Sequence, residues 1–176
     1  MKQRLSISLL MTLALITHSA LAEIVVSQPD HYQLVHEGVS EQSVEQVWDR
    51  LINPDQWWHP EHTYSGDAAN LSLNLTAGGQ WQEQSDTHTV SHGTVLFVNP
   101  PYQLKLNAPF GPLQGKAVTV VWTITLEALD QGTRVTFEEI ANGTSASALD
   151  ELAPAVDFVK AEALHRLVSP PGATQP

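Results

Sequence analysis

The chain has 176 residues, a formal net charge of −11 and no cysteine, which excludes a disulfide scaffold, a thiol nucleophile and a cysteine-ligated zinc. Its first 22 residues carry two of the eight cations and none of the acids, so the remainder sets six cations against nineteen acids, a net −13. A surface of that sign repels phosphate backbones and anionic lipid, so neither nucleic acid nor an anionic membrane is expected as a partner.

In chain order, Lys2 and Arg4 precede an apolar run, Leu5 to Ile16, that is too short to span a bilayer. Ala20-Leu21-Ala22 is a small-x-small cleavage motif. Residues 1–22 therefore predict a signal peptide cut after Ala22, and a periplasmic or secreted product. Residues 23–168 make one domain, and the Pro/Gly-rich stretch 169–176 reads as a disordered tail.

His31 to Val39 alternates as a strand does. Ser43-Val-Glu-Gln46 is a capping box that opens a helix with Val44, Val47, Trp48 and Leu51 on one face. Asn53-Pro54 stops that helix, because the residue before proline leaves the αR region. Asp55 to Trp58 then suits one further turn. Strands follow over Asn70–Thr76, Gln80–Gln84, His88–Val98, Tyr102–Asn107, Lys116–Leu129 and Thr133–Ile140, separated by Gly- and Pro-rich turns. The last element is a helix with Pro154 in its first turn and an apolar stripe of Val156, Val159, Ala163, Leu164 and Leu167. Hairpin-linked strands with segregated helices predict an α+β domain, a curved antiparallel sheet enclosing a cavity against a long C-terminal helix.

The densest chemistry lies in Asn53-Pro-Asp-Gln-Trp-Trp-His-Pro-Glu-His-Thr-Tyr-Ser-Gly-Asp67. His59 and His62 look like a ligand pair, but Pro60 disfavours a regular helix through both. His88 and His92 lie four apart on an expected strand, ~13 Å at ~3.3 Å per residue. Neither pair is expected to hold a metal, and no cofactor is expected. No Gly-x-Ser-x-Gly elbow marks a serine hydrolase. Trp81 and Glu83 share strand parity, so both face inward if one does. A buried Glu83 is then open to two readings. It does acid/base chemistry with His62, Tyr64 or His92, or it anchors the loop Tyr64–Asp67. Trp57, Trp58, Tyr64, Trp81, Phe110 and Trp122 are the candidate cavity wall, although the adjacent pair Trp57-Trp58 cannot point the same way.

Several segments, in order, resemble the START-like SRPBCC superfamily, and within it the group named after the activator of heat-shock-protein-90 ATPase. They are Val47-Trp48, Asn53-Pro-Asp-Gln-Trp-Trp58, Ala77-Gly-Gly79, Gly93 to Pro101, the Trp122 strand and Gly132-Thr-Arg-Val-Thr136. His62 to Leu73, Gly78 to Glu83, Gly111 to Gln114 and Val156 to Val159 resemble an exported subset. That subset often carries cysteines where this chain has Gln80 and Gln82. The resemblance implies a helix-grip fold, with a small apolar or aromatic molecule bound between sheet and helix; integral membrane association is not expected, because no apolar run after residue 22 is long enough to span a bilayer. Catalysis in that cavity is the alternative function, and an interaction module with an exposed aromatic patch is a third. An exported chain would not meet a cytosolic ATP-driven chaperone, so a co-chaperone role is not expected.

Overall fold

A computed structural model describes residues 21–169. The expected signal peptide, apart from Leu21 and Ala22, lies outside the described residues, as does the expected tail apart from Ser169. Eight segments, most of them with alternating side chains, build one antiparallel sheet. The strands are β1 (Leu21–Gln28), β2 (His31–Ser40), β3 (Leu71–Leu73), β4 (Gln80–Gln84), β5 (Thr89–Asn99), β6 (Gln103–Asn107), β7 (Thr119–Ala128) and β8 (Thr133–Asn142). They pair in the order β1-β2-β8-β7-β6-β5-β4-β3. Helix α1 (Val44–Leu51) follows β2, and α2 (Leu149–Val168) lies against β1, β2 and β8. This is the expected α+β helix-grip architecture.

The core follows from parity. Val120, Trp122, Ile124 and Leu126 on β7 and Val135 and Phe137 on β8 are all buried. All but Val120 meet Val47, Trp48 and Leu51 of α1 and Ala163, Leu164 and Leu167 of α2; Val120 packs in a second cluster with Tyr32, Leu34 and Leu149. Ser43 caps α1 as its capping box requires: its hydroxyl accepts from the Gln46 amide, and the Gln46 side chain accepts from the Ser43 amide. Gly79 is required at the β3–β4 turn, since a Cβ there would lie 2.2 Å from the Asn74 carbonyl oxygen.

β1, β3 and α2 depart furthest from expectation. β1 was not anticipated, because its only apolar run, Ile24 to Val26, is half-exposed and lacks a buried alternation. β3 stops at Leu73, where the chain turns towards the double glycine, so Leu75 packs on the core from a loop. α2 begins at Leu149, so Pro154 lies beyond its first turn; the amide that proline lacks would have bonded the carbonyl of residue 150.

Candidate functional site

Three places gather the chemistry-bearing side chains. The first is Glu83, fully buried on β4 beside Trp81. One carboxylate oxygen accepts the Ser65 amide at 2.5 Å. The other accepts the Tyr64 amide at 3.0 Å and His92 Nε2 at 2.9 Å. A bulge between Trp81 and Gln82 makes this possible: Trp81 pairs with Gly93 and Gln82 with Ser91, leaving His92 unpaired and turned inward. His88 does not lie on β5 as expected. It sits in the turn before that strand, with Nε2 3.7 Å from Glu83 Oε1, so both histidines reach the same carboxylate. Burial pushes the Glu83 carboxyl up, but hydrogen bonds from Ser65, Tyr64 and His92 outweigh it and hold the group at about 2. Burial pushes His92 down against the pull of Glu83, so the ring is neutral and places its proton on Nε2. Glu83 therefore ties the loop 64–67 to the sheet with an ionised carboxylate that accepts three hydrogen bonds.

The second place is a cavity of about 430 Å³ between the loop 61–64, the loop 110–113 and α2. Trp58, Phe110, Val156 and Val159 make its apolar wall, with His62 and Tyr64 at its rim. That volume lies in the range of small-molecule sites, and the wall is of the apolar, aromatic kind such sites use. Of the six expected wall residues, Trp58, Tyr64 and Phe110 line it. Trp57, Trp81 and Trp122 instead pack behind the wall, with Trp58–Trp81 at 5.5 Å and Trp81–Trp122 at 5.8 Å between ring centroids. Trp57 Nε1 donates to the Leu51 carbonyl and Trp58 Nε1 to that of His62, so the adjacent pair does diverge.

Sequence reasoning missed the polar pair that lines this cavity beside its apolar wall. Lys160 of α2 is buried, with Nζ 2.8 Å from Glu139 Oε2 and 3.1 Å from the centroid of the Trp122 ring. Tyr32 donates to the other Glu139 oxygen at 2.6 Å. Burial lowers the Lys160 ammonium, opposed by Glu139, and raises the Tyr32 hydroxyl, helped by Glu139. Both charges were legible. Lys160 falls within the stripe from Val156 to Leu164, and Glu139 shares the inward parity of Val135, Phe137 and Ala141. A charge at an inward position needs a partner, and each supplies the other's.

The third place is the rim. Pro60 holds His59 extended, as expected, at φ −73° and ψ 129°. Pro60–His62 nevertheless forms a 3₁₀ turn that brings the two imidazoles to 5.3 Å between centroids. Glu162 of α2 reaches both rings: His59 Nε2 at 3.5 Å and His62 Nε2 at 2.8 Å. The two histidines thus meet around one carboxylate without the regular helix that Pro60 disfavours. His62 is with Glu162, not with Glu83.

Outside these places, a larger groove of about 840 Å³ runs past Tyr64, Asp67, Asn70, Asp86 and His88. Its lining is polar, so burial of an apolar molecule there is not favoured. No helix among the described residues is long and apolar enough to cross a membrane.

The family profile described as Activator of Hsp90 ATPase homolog 1-like protein matches residues 41–168. Among solved structures, CalU16 from Micromonospora echinospora is similar with a TM-score of 0.53 and 17% identity, over 87% of this chain and 85% of that one. A Rhodobacter sphaeroides protein gives 0.55 and 16%, over 84% and 95%. One from Arthrobacter aurescens gives 0.54 and 18%, over 82% and 90%. At such identities the likeness is one of fold. No curated protein sequence matches the chain.

Proposed function

We propose that this chain, which belongs to the Activator of Hsp90 ATPase homolog 1-like family, is an exported protein that binds a small apolar or aromatic molecule between its rim loops and α2. One observation carries the reading: the 430 Å³ cavity is walled by Trp58, Phe110, Val156 and Val159 and is not filled by the aromatic cluster behind it. Burial of a ligand's apolar surface contributes about 25 cal/mol per Å². The signal-peptide pattern of residues 1–22 supports export to the periplasm or medium. The family's name does not carry a chaperone partner to this chain, because fold and function part company readily.

The alternative, acid/base catalysis through Glu83, loses its support in the geometry. A general base needs a free lone pair facing the substrate and a pKa near the working pH. Glu83 spends its oxygens on two backbone amides and His92, and is held at about 2.

Two measurements test the binding reading. Native mass spectrometry of the chain from its own host reads any retained molecule. Titration with N-phenyl-1-naphthylamine, a neutral aromatic probe, reads the empty cavity. Saturable binding is expected, weakened about tenfold (~1.4 kcal/mol) by Trp58→Ala or Phe110→Ala. A chain that neither retains a molecule nor takes up the probe would sink the proposal.

A further inference from the structure

We infer that His59, His62 and Glu162 form a divalent-cation site at the rim of the cavity, with zinc the best fit. All three offer a ligand atom, and these atoms lie within 4.8 Å of one another. Two imidazoles and one carboxylate suit a borderline cation such as Zn²⁺, in the three-ligand pattern that leaves a coordination position open. The residues come from two elements a hundred positions apart, a 3₁₀ turn and the middle of α2, so local helix periodicity does not explain their meeting.

The turn is held independently of Glu162. The Thr63 hydroxyl donates to the Pro60 carbonyl at 2.7 Å, and the Trp58 indole donates to the His62 carbonyl at 3.2 Å. The three side chains are partly exposed, about a quarter each, so an ion can reach them from solvent. The acidic surface of the whole chain raises the local concentration of cations.

A second cluster of the same composition shows what the rim has that the interior lacks. Glu83 also lies between two histidines, but its oxygens are filled by amides that no ion can displace without unseating a loop. Glu162 is held by imidazoles alone, among the contacts the structure gives it.

Binding requires rearrangement at both rings, since His62 Nε2, which faces Glu162 Oε2 at 2.8 Å, must release its proton to ligate there. His59 Nδ1 accepts the Glu61 amide at 3.1 Å, which places the ring proton on Nε2. Ligation through Nε2 moves that proton to Nδ1 and releases the amide, a single exposed hydrogen bond in a three-residue turn. The ligand atoms must also draw in from the 3.5 Å and 2.8 Å contacts to bonds of ~2.0–2.2 Å each to the ion.

The test uses the untagged chain, stripped with a chelator and dialysed against Zn²⁺ without any organic ligand, so its result is independent of the cavity reading. One zinc per chain is expected. The His59 and His62 imidazole resonances should shift together, and Co²⁺ should give the visible absorption of a low-coordinate site. His62→Ala and Glu162→Gln should each weaken binding by about tenfold or more, whereas His31→Ala, far along the sheet, should not. Both variants alter partly exposed side chains, and circular dichroism verifies their fold. Equal zinc uptake by wild type and His59→Ala/His62→Ala would mean adventitious surface binding and overturn the assignment, as would no uptake at all.

Discussion

Two carboxylates in this protein each lie between a pair of histidines, and they do opposite things. Glu83 is buried and receives two backbone amides besides His92, so its charge and position are fixed by the chain itself. Glu162 is partly exposed and is bridged only by His59 and His62, whose protons can exchange for solvent or an ion. Residue type and spacing look alike at the two sites. What separates them is who supplies the hydrogen bonds. Backbone donors turn a buried acid into a structural anchor, whereas side-chain donors at a surface leave it available for chemistry.

The comparison breaks most sharply at Glu83. Glu83→Gln would aim an amide group at the Tyr64 and Ser65 N–H donors and leave at least one unpaired. The expected loss is on the order of 3 kcal/mol of unfolding free energy, read by urea denaturation. A loss under about 1 kcal/mol would show that the loop 64–67 is held by something else.

A pH titration sharpens the same point. The Glu83 carboxyl falls from 4.5 to about 2 on folding, so its contribution is fully present above 4.5 and is lost as pH falls towards 2. That shift is worth on the order of 3 kcal/mol. His92 and His36 are both pushed below 6.5, chiefly by burial, so the unfolded chain takes their protons first and stability already declines as pH drops through 6.5. The Glu83→Gln variant should keep the upper, histidine leg and lose the lower one. Thermal melts from pH 7 to pH 3 would show this, and an unchanged lower leg would contradict it.

The smallest effect is expected at the rim. Without metal, Glu162→Gln alters a partly exposed imidazole–carboxylate contact and should cost under about 1 kcal/mol in the same denaturation experiment. A larger loss would move Glu162 into the anchoring class with Glu83.

Much of the fold was legible in the chain. The capping box Ser43–Gln46, the inward parity of β7 and the apolar stripe of α2 each placed an element before any contact was known. Parity also put Trp81 and Glu83 on one face. The site was less legible, for identifiable reasons. The bulge that turns His92 onto Glu83 breaks the period-two rule locally and leaves no composition signal. The 3₁₀ turn after Pro60 brings His59 and His62 together by a route that helix statistics do not cover. Lys160 and Glu139 were readable as charges in apolar positions, yet each became meaningful only as the other's partner.

By itself, then, the sequence determined the class of fold, the buried face of the regular strands such as β7 and β8, the aromatic residues of the core and the acidic surface. These follow from periodicity and composition, which are local or additive. The tertiary structure alone decided which acid meets which histidine, which tryptophans wall the cavity and which stand behind it. Those are questions of distance between segments up to a hundred residues apart. Hydrogen bonds and ion contacts act over a few ångströms, a precision that chain spacing does not encode.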